Sequence, residues 1–139
     1  MKYTVIIFFT LSVLMNIGCS YDGNVQTTVT QLPKKEGDSA VYIKKTTWGF
    51  SGDERTVVIS NNPAEELSPE PSSEYVYEGL FTMFYKTVQD TLYVYTPIVV
   101  TVPKRFKSIY VVVQKQLSNP EMMELLDSGN YKKLNLVEL

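Results

Sequence analysis

The sequence predicts an all-β domain built from antiparallel strands and closed by one short C-terminal helix. Segments rich in Val, Ile, Thr and Tyr recur about every ten residues from residue 40 onward, and turn-forming residues separate them. Residues 91–96 place tyrosines on one face and aliphatic side chains on the other, with the period of two that is typical of a strand. Strands joined by short hairpin connections pair antiparallel, so we expect an antiparallel β-sandwich or a small barrel.

The first predicted hairpin covers residues 41–60. Its two strands, residues 41–48 and 54–60, are rich in β-branched and aromatic side chains, and the glycines between them favour a short connection. Residues 61–74 follow with three prolines and several glutamates. Because proline cannot donate to a sheet ladder, this stretch predicts a solvated acidic loop, which is also a weaker candidate for contact with a basic partner.

The next segments predict more strands of the same sheets: residues 74–80, 82–88 and 91–96, the last two joined by a turn at Gln89-Asp90. Residues 98–102 lie between two prolines and predict either a short strand or an extended edge segment. The longest strand candidate is residues 106–117. Both of its faces are apolar near the centre, so we expect it in the middle of a sheet.

One helix is predicted near residue 119, with Ser118 or Asn119 as its N-cap. Its apolar face has the helical spacing i, i+3, i+4 and consists of Met122, Leu125 and Leu126. Gly129 favours the end of this helix. A helix this short must dock on the sheet to be stable. Residues 131–139 predict a last strand or a loose tail.

The number of predicted strands favours an immunoglobulin-like sandwich, although the cysteines typical of that fold are absent.

The N-terminus has the pattern of a secretory signal peptide. A single lysine at position 2 precedes an apolar run, residues 5–17, and small Gly18 stands before the only cysteine, Cys19. Thirteen helical residues span roughly 20 Å, which is too short for a hydrocarbon core of about 30 Å, so a transmembrane helix is the weaker interpretation. A secreted protein with a free thiol is the other alternative.

The stretch Asn16-Ile17-Gly18-Cys19 resembles the cleavage site of bacterial lipoproteins, with Asn16 where that family prefers Leu. The resemblance implies that Cys19 becomes the lipid-modified N-terminus and that the membrane is a partner of the mature chain. Ser20 is not the aspartate that retains such proteins at the inner membrane in some enteric bacteria. The resemblance therefore implies a location in the bacterial cell envelope, at the outer membrane.

The chain divides into a signal peptide at residues 1–18, a lipidated cysteine with a polar tether at 19–39, and one β domain at 40–139. Residues 25–30 could instead form a first edge strand, since Thr and Val suit strands. Cleavage leaves 121 of the 139 residues, enough for a single core. It also removes Lys2 and no acidic residue, so the net charge changes from −2 to −3 and argues against nucleic acid as a partner.

The composition argues against most catalytic chemistry. The sequence contains no histidine, which excludes a Ser-His-Asp triad and a Cys-His pair and removes the commonest zinc ligand. No spacing brings two carboxylates together for glycoside hydrolysis. We therefore expect no enzyme activity, no catalytic residue, no metal site and no cofactor.

Aromatic side chains are the candidate binding residues. Trp48 ends the first strand of the hairpin and Phe50 lies in its connection; both could hold a sugar ring or a partner protein, although closing the core is the simpler role for Trp48. The strand tyrosines, which combine an apolar body with a polar tip, form a second set: Tyr75, Tyr77, Tyr93 and Tyr95. If they line up across strands, they make an aromatic patch, although packing alone would also explain them.

These observations predict a membrane-anchored lipoprotein that acts as a non-enzymatic binding or interaction module, with a protein or a glycan as ligand. The alternative is a periplasmic inhibitor or immunity lipoprotein that blocks an enzyme or a toxin. The small size and the acidic composition of the chain fit both functions, so they do not distinguish one from the other.

Overall fold

The computed structural model describes residues 25–49, 54–65, 69–80 and 82–139. These residues are mostly β and form two four-stranded sheets with one short C-terminal helix. The strands are β1 Gln26–Gln31, β2 Tyr42–Trp48, β3 Glu54–Ser60, β4 Tyr75–Leu80, β5 Phe84–Val88, β6 Thr91–Thr96, β7 Val111–Gln116 and β8 Val137–Glu138. The helical segments are α1 Asn119–Leu126, a 3₁₀ turn Asp127–Gly129 and a single helical turn, α2 Asn130–Lys133.

Sheet 1 has the strand order β1-β2-β3-β4 and is antiparallel throughout. The predicted hairpin of β2 and β3 is confirmed, with Ile43 opposite Ile59 and Trp48 opposite Glu54. Residues 50–53 of its connection lie outside the described residues. The β-branched composition of both strands lets their side chains pack tightly on a pleated surface.

The first strand lies inside the segment that we predicted to be a tether. Residues 26–31 form β1 at the edge of sheet 1, which confirms the alternative of an edge strand. The sheet therefore begins before residue 40, and residues 19–39 are not a tether throughout. Thr27 illustrates why this stretch pairs, since its hydroxyl lies 3.0 Å from the hydroxyl of Thr46 on β2.

Sheet 2 has the order β7-β6-β5-β8. The predicted hairpin of β5 and β6 is confirmed, and Gln89 in its turn takes a φ of +51° although it is not glycine. The expectation of antiparallel pairing throughout is wrong for β6 and β7, which are parallel. The connection between them, residues 97–110, is long enough to return the chain to the starting end of β6 before β7 begins.

Residues 106–117 do not form the long central strand that we predicted. Only Val111–Gln116 is a strand, and it lies at the edge of sheet 2, where Val111 is 64 % exposed. The apolar residues before it pack on the core from the connection instead. Phe106 contacts Tyr75 edge to face with ring centroids 5.1 Å apart, and Tyr110 is buried. Residues 98–102 form no strand and pair with none of the described strands; Ile98 lies in a bend.

One apolar cluster takes side chains from both sheets. Ile43, Val57 and Ile59 come from sheet 1, and Leu92 and Val94 come from sheet 2. All five are less than 2 % exposed. Burial of this kind contributes roughly 25 cal/mol for each Å² of apolar surface removed from water, so this cluster stabilises the packing of the two sheets against each other.

The helix begins after Ser118, which confirms one of the two predicted caps. The carboxylate of Glu121 accepts from the Ser118 backbone N–H at 2.7 Å and from its hydroxyl at 2.6 Å. The predicted docking on the sheet is also confirmed, because Met122 packs with Leu136 and with Phe84 of β5 in a second buried cluster. Of residues 131–139, only Val137–Glu138 form a strand, which pairs with β5.

Candidate functional site

The tyrosines of β4 are core side chains. Tyr75 is 4 % exposed and Tyr77 is 0 % exposed. Burial raises the pKa of Tyr77, so its hydroxyl stays protonated and donates to Gln114 Oε1 of β7 at 3.0 Å. Tyr75 and Tyr77 therefore hold the two sheets together and present no surface to a ligand.

The aromatic pair at the first hairpin is only partly described. Trp48 ends β2 and is half-buried, and its indole Nε1 donates to Glu54 Oε2 at 2.8 Å across the strand pair. Phe50 lies outside the described residues. The observed contact gives Trp48 a role in closing the end of the hairpin.

Tyr93 and Tyr95 lie in β6 and are half-buried. The residues that alternate with them, Leu92 and Val94, belong to the cluster that both sheets share. The two tyrosines therefore project from the opposite side of sheet 2, which we call its outer face. They belong to a different sheet from Tyr75 and Tyr77, so the four tyrosines do not form one cross-strand patch.

The strand registers arrange the outer face in three rows across β5, β6 and β7: Phe84-Tyr95-Lys115, Lys86-Tyr93-Val113 and Val88-Thr91-Val111. The helical segments cover Phe84, which is 0 % exposed. The third row is open, with Val88 48 % and Val111 64 % exposed. We call all residues of these three rows except Phe84 the open face; it consists of Lys86, Val88, Thr91, Tyr93, Tyr95, Val111, Val113 and Lys115.

Two lysines of the open face lie over its tyrosine rings. Lys115 Nζ is 5.3 Å from the ring centroid of Tyr93 and 5.4 Å from that of Tyr95, and Lys86 Nζ is 5.9 Å from that of Tyr95. Such cation–π contacts are worth about 0.5–1 kcal/mol at exposed sites. Neither lysine forms an ion pair with a carboxylate of the described residues. The rings thus orient two positive charges without neutralising them.

A cleft continues the open face beyond Tyr95. It has a volume of about 490 Å³ and lies between β6 and the helical segments. Four leucines line it, Leu117, Leu125, Leu134 and Leu136, together with the polar side chains Glu121, Glu124, Asn130 and Lys133. Tyr95 lines the cleft and belongs to the open face, so the two surfaces are continuous.

A second, polar cleft of about 600 Å³ lies at the acidic loop. Glu70 there pairs with Arg105 at 2.5 Å, and hydrogen bonds from Ser73 and Ser72, with the nearby Arg105 charge, lower the pKa of Glu70. Glu74 accepts from the Glu70 backbone N–H at 2.8 Å and from the Ser60 hydroxyl. These polar groups already bond to one another, so they fix residues 70–74 of the loop.

Sequence reasoning missed most of the open face. Lys86, Val88, Val111, Val113 and Lys115 come together through the register of three strands, one pair of which is parallel. The alternation Phe84-Lys86-Val88 is the one signal in the sequence that places a lysine on an apolar strand face.

No three His, Cys, Asp or Glu side chains of the described residues lie close enough to hold a metal ion together. None of the helices among those residues has the length and apolarity to cross a bilayer. Comparison with models of known families, with curated proteins and with solved structures finds no match to this chain.

Proposed function

We propose that this protein is a bacterial lipoprotein, anchored to the outer membrane through acylated Cys19, which binds a protein or glycan on its open face. It acts as a non-enzymatic interaction module. The anchor is supported by the sequence of residues 1–19, with an apolar run too short for a transmembrane span. Two or more acyl chains, as that family carries, would suffice for stable anchoring.

The fold that we propose for the binding module is an immunoglobulin-like β-sandwich. Support comes from the cluster in which Ile43 and Ile59 of sheet 1 pack with Leu92 of sheet 2. The hydrogen bond between Tyr77 of β4 and Gln114 of β7 also links the two sheets at their edges. In a sandwich the outer face of sheet 2 has no second sheet over it.

The open face is the observation that carries the proposed binding function. It combines two half-buried tyrosines, Val88 and Val111 at 48 % and 64 % exposure, and two lysines without carboxylate partners among the described residues. Tyrosine rings contribute contact area at low entropic cost, and ammonium groups donate hydrogen bonds to hydroxyl or carboxylate oxygens. Contiguous exposed apolar surface rimmed by polar groups is typical of interaction sites.

Photo-crosslinking in cells tests the proposed binding face. A benzophenone amino acid at position 111 should form an adduct with the bound partner, because Val111 is 64 % exposed at the end of the open face. Position 123 is the matched control, since Met123 is 63 % exposed but lies on α1 outside both the open face and the adjoining cleft. The adduct is read out by its mass shift after ultraviolet irradiation.

Adding Tyr93→Ser and Lys115→Glu to the position-111 probe should reduce the adduct at least tenfold, because both changes remove contacts of the open face. Equal labelling at positions 111 and 123, or an adduct that the two substitutions leave unchanged, would contradict the proposal. An adduct with an enzyme or a toxin would instead support the alternative function, that of an inhibitor or immunity lipoprotein.

A further inference from the structure

The edge of sheet 1 exposes a row of backbone groups on β1. The Leu32 N–H donates to Val41 O at 2.8 Å, which fixes the alternation along the β1–β2 pair. Residues 26, 28, 30 and 32 direct their backbone groups toward β2. Thr27, Val29 and Gln31 direct theirs the other way, and no backbone group of the described residues bonds to them.

This edge lacks the features that usually protect exposed strands. Its sequence, Gln-Thr-Thr-Val-Thr-Gln, contains no charge, proline or glycine, and only Val29 is half-buried while the other five residues are exposed. Natural edge strands carry charges, prolines or bulges that prevent pairing with another chain. The other long edges have such features: β4 carries Glu78 and Gly79, and β7 carries Lys115.

We propose that two copies of this chain pair antiparallel through β1, with Val29 of one copy opposite Val29 of the other. In this register Thr27 lies opposite Gln31, so each outward-facing residue meets another outward-facing residue. Each of the three pairs exchanges two N–H···O bonds, which gives six bonds between the copies. Thr28 lies opposite Thr30, and threonine pairs across strands stabilise sheets.

The strand favours a second copy over other occupants because it is uncharged and because the threonines on either side of Val29, Thr28 and Thr30, face each other in the pair. Two identical edges therefore meet without placing like charges opposite each other, although each chain carries a net negative charge. A six-residue edge contact is small beside the 1,600 Å² or so that a standard stable interface buries. Pairing therefore needs a high local concentration.

The proposed anchor supplies that concentration, and this part of the inference rests on the proposed function. Gln26 is seven residues from Cys19, so an extended tether holds β1 within roughly 25 Å of the lipid. Copies confined to one leaflet have a much higher effective concentration than free copies. Sheet 1 of both copies then becomes one continuous eight-stranded sheet beside the membrane.

Disulfide formation between cysteine variants of the full chain tests the pairing and its register. In Val29→Cys the two Cα atoms would lie about 5.5 Å apart, within the disulfide range. Gln31→Cys is the matched control on the same edge, because its own copy lies four residues out of register, roughly 14 Å away. Oxidised membranes should yield at least ten times more dimer from Val29→Cys than from Gln31→Cys.

Two further arms make the result specific. Co-expressed Thr27→Cys and Gln31→Cys chains should crosslink to each other, because those positions face each other in the proposed register. Val29→Cys combined with Gln31→Pro should lose dimer at least fivefold, since proline removes an outward N–H and leaves the β1–β2 ladder intact. Val29→Cys combined with Gln31→Ala should form as much dimer as Val29→Cys alone, because alanine keeps the backbone N–H. The unsubstituted chain, oxidised in the same way, measures how much dimer forms through Cys19 alone.

The outcomes separate the pairing from the anchor. Membrane-bound chains whose Val29→Cys and Gln31→Cys variants crosslink equally would overturn the pairing and leave the anchor standing. Soluble chains that still crosslink through Val29→Cys would support the pairing but contradict both the anchor and its role in concentrating the chains. A Val29→Cys adduct with a mass other than twice that of the chain would show a different occupant and overturn the proposed dimer.

Discussion

Gln114 joins three parts of this molecule through its side chain. Its Oε1 accepts from the Tyr77 hydroxyl at 3.0 Å and from the Val100 N–H at 2.9 Å, and its Nε2 donates to Val100 O at 2.8 Å. One side chain therefore links β4 of sheet 1, β7 of sheet 2 and the connection between β6 and β7. A satisfied, half-buried network of this kind fixes one arrangement of its parts.

Replacing Gln114 by leucine should destabilise the protein by about 2–4 kcal/mol, because it leaves the Tyr77 hydroxyl and both Val100 backbone groups without partners. The measurement is urea unfolding followed by circular dichroism. Gln116→Leu is the control in the same strand, since exposed Gln116 makes a single bond to Pro97 O at 3.2 Å. Equal losses for the two variants would contradict the linking role of Gln114.

At the scale of elements, the strands with clean alternation were predictable and the connection between β6 and β7 was not. Residues 91–96 alternate tyrosines with buried aliphatic residues, and the hairpin with β5 follows from that pattern. Residues 106–110 have a strand-like composition, but Phe106 and Tyr110 bury their rings from a connection. Composition alone does not distinguish a buried connection from a central strand.

The residues of the open face were predictable to the same extent: those set by local alternation were found, and those set by packing between strands were not. The sequence identified Tyr93 and Tyr95 because a period of two is local. It missed Lys115 and Val111 because their position beside β6 depends on a parallel pairing across 14 intervening residues, 97–110. Tyr75 and Tyr77 show the same composition as the outer tyrosines, and only the packing of the two sheets assigns them to the core.

The cap of α1 predicts a pH-dependent stability. Hydrogen bonds from the Ser118 side chain and backbone lower the pKa of Glu121, so the folded state favours its carboxylate. This stabilisation is complete above the ordinary glutamate pKa and disappears as the pH falls through the lowered pKa. Ser118→Ala should lower the melting temperature at pH 7 by roughly 2–5 °C.

The difference in melting temperature between the natural chain and Ser118→Ala should shrink toward pH 3. Once Glu121 is protonated, it is no longer a charged acceptor for the hydrogen bonds from Ser118. Differential scanning calorimetry at several pH values measures it. Ser128→Ala is the control, since the hydroxyl of exposed Ser128 forms one hydrogen bond among the described residues, to its neighbour Asp127 at 3.2 Å. A pH-independent difference would contradict the assignment of the cap to this carboxylate.

At the scale of the whole molecule, the N-terminal sequence and the β domain imply complementary roles. In the proposed function the first anchors the protein to a membrane, and the second presents an open face and an edge strand. Cys19→Ala should move the protein from the membrane fraction to the soluble fraction, because it removes the site of acylation. Globomycin, which blocks cleavage of lipoprotein signals, should make the unprocessed chain accumulate.

Asn16→Leu is the control for this prediction, because it keeps Cys19 and restores the residue that lipoprotein sites prefer. It should remain in the membrane fraction and be processed at least as completely as the natural chain. Retention of Cys19→Ala in the membrane, or processing that globomycin does not change, would contradict lipid anchoring.

Lysine footprinting tests the open face most directly. Lys115 and Lys132 both lie over tyrosine rings, at 5.3 Å from Tyr93 and 5.6 Å from Tyr131, and both are exposed, but only Lys115 belongs to the open face. A partner on that face should protect Lys115 from acetylation in intact envelopes at least fivefold relative to the purified protein, while Lys132 reacts equally in both. Equal labelling of Lys115 in envelopes and in the purified protein would contradict recognition by the outer face of sheet 2.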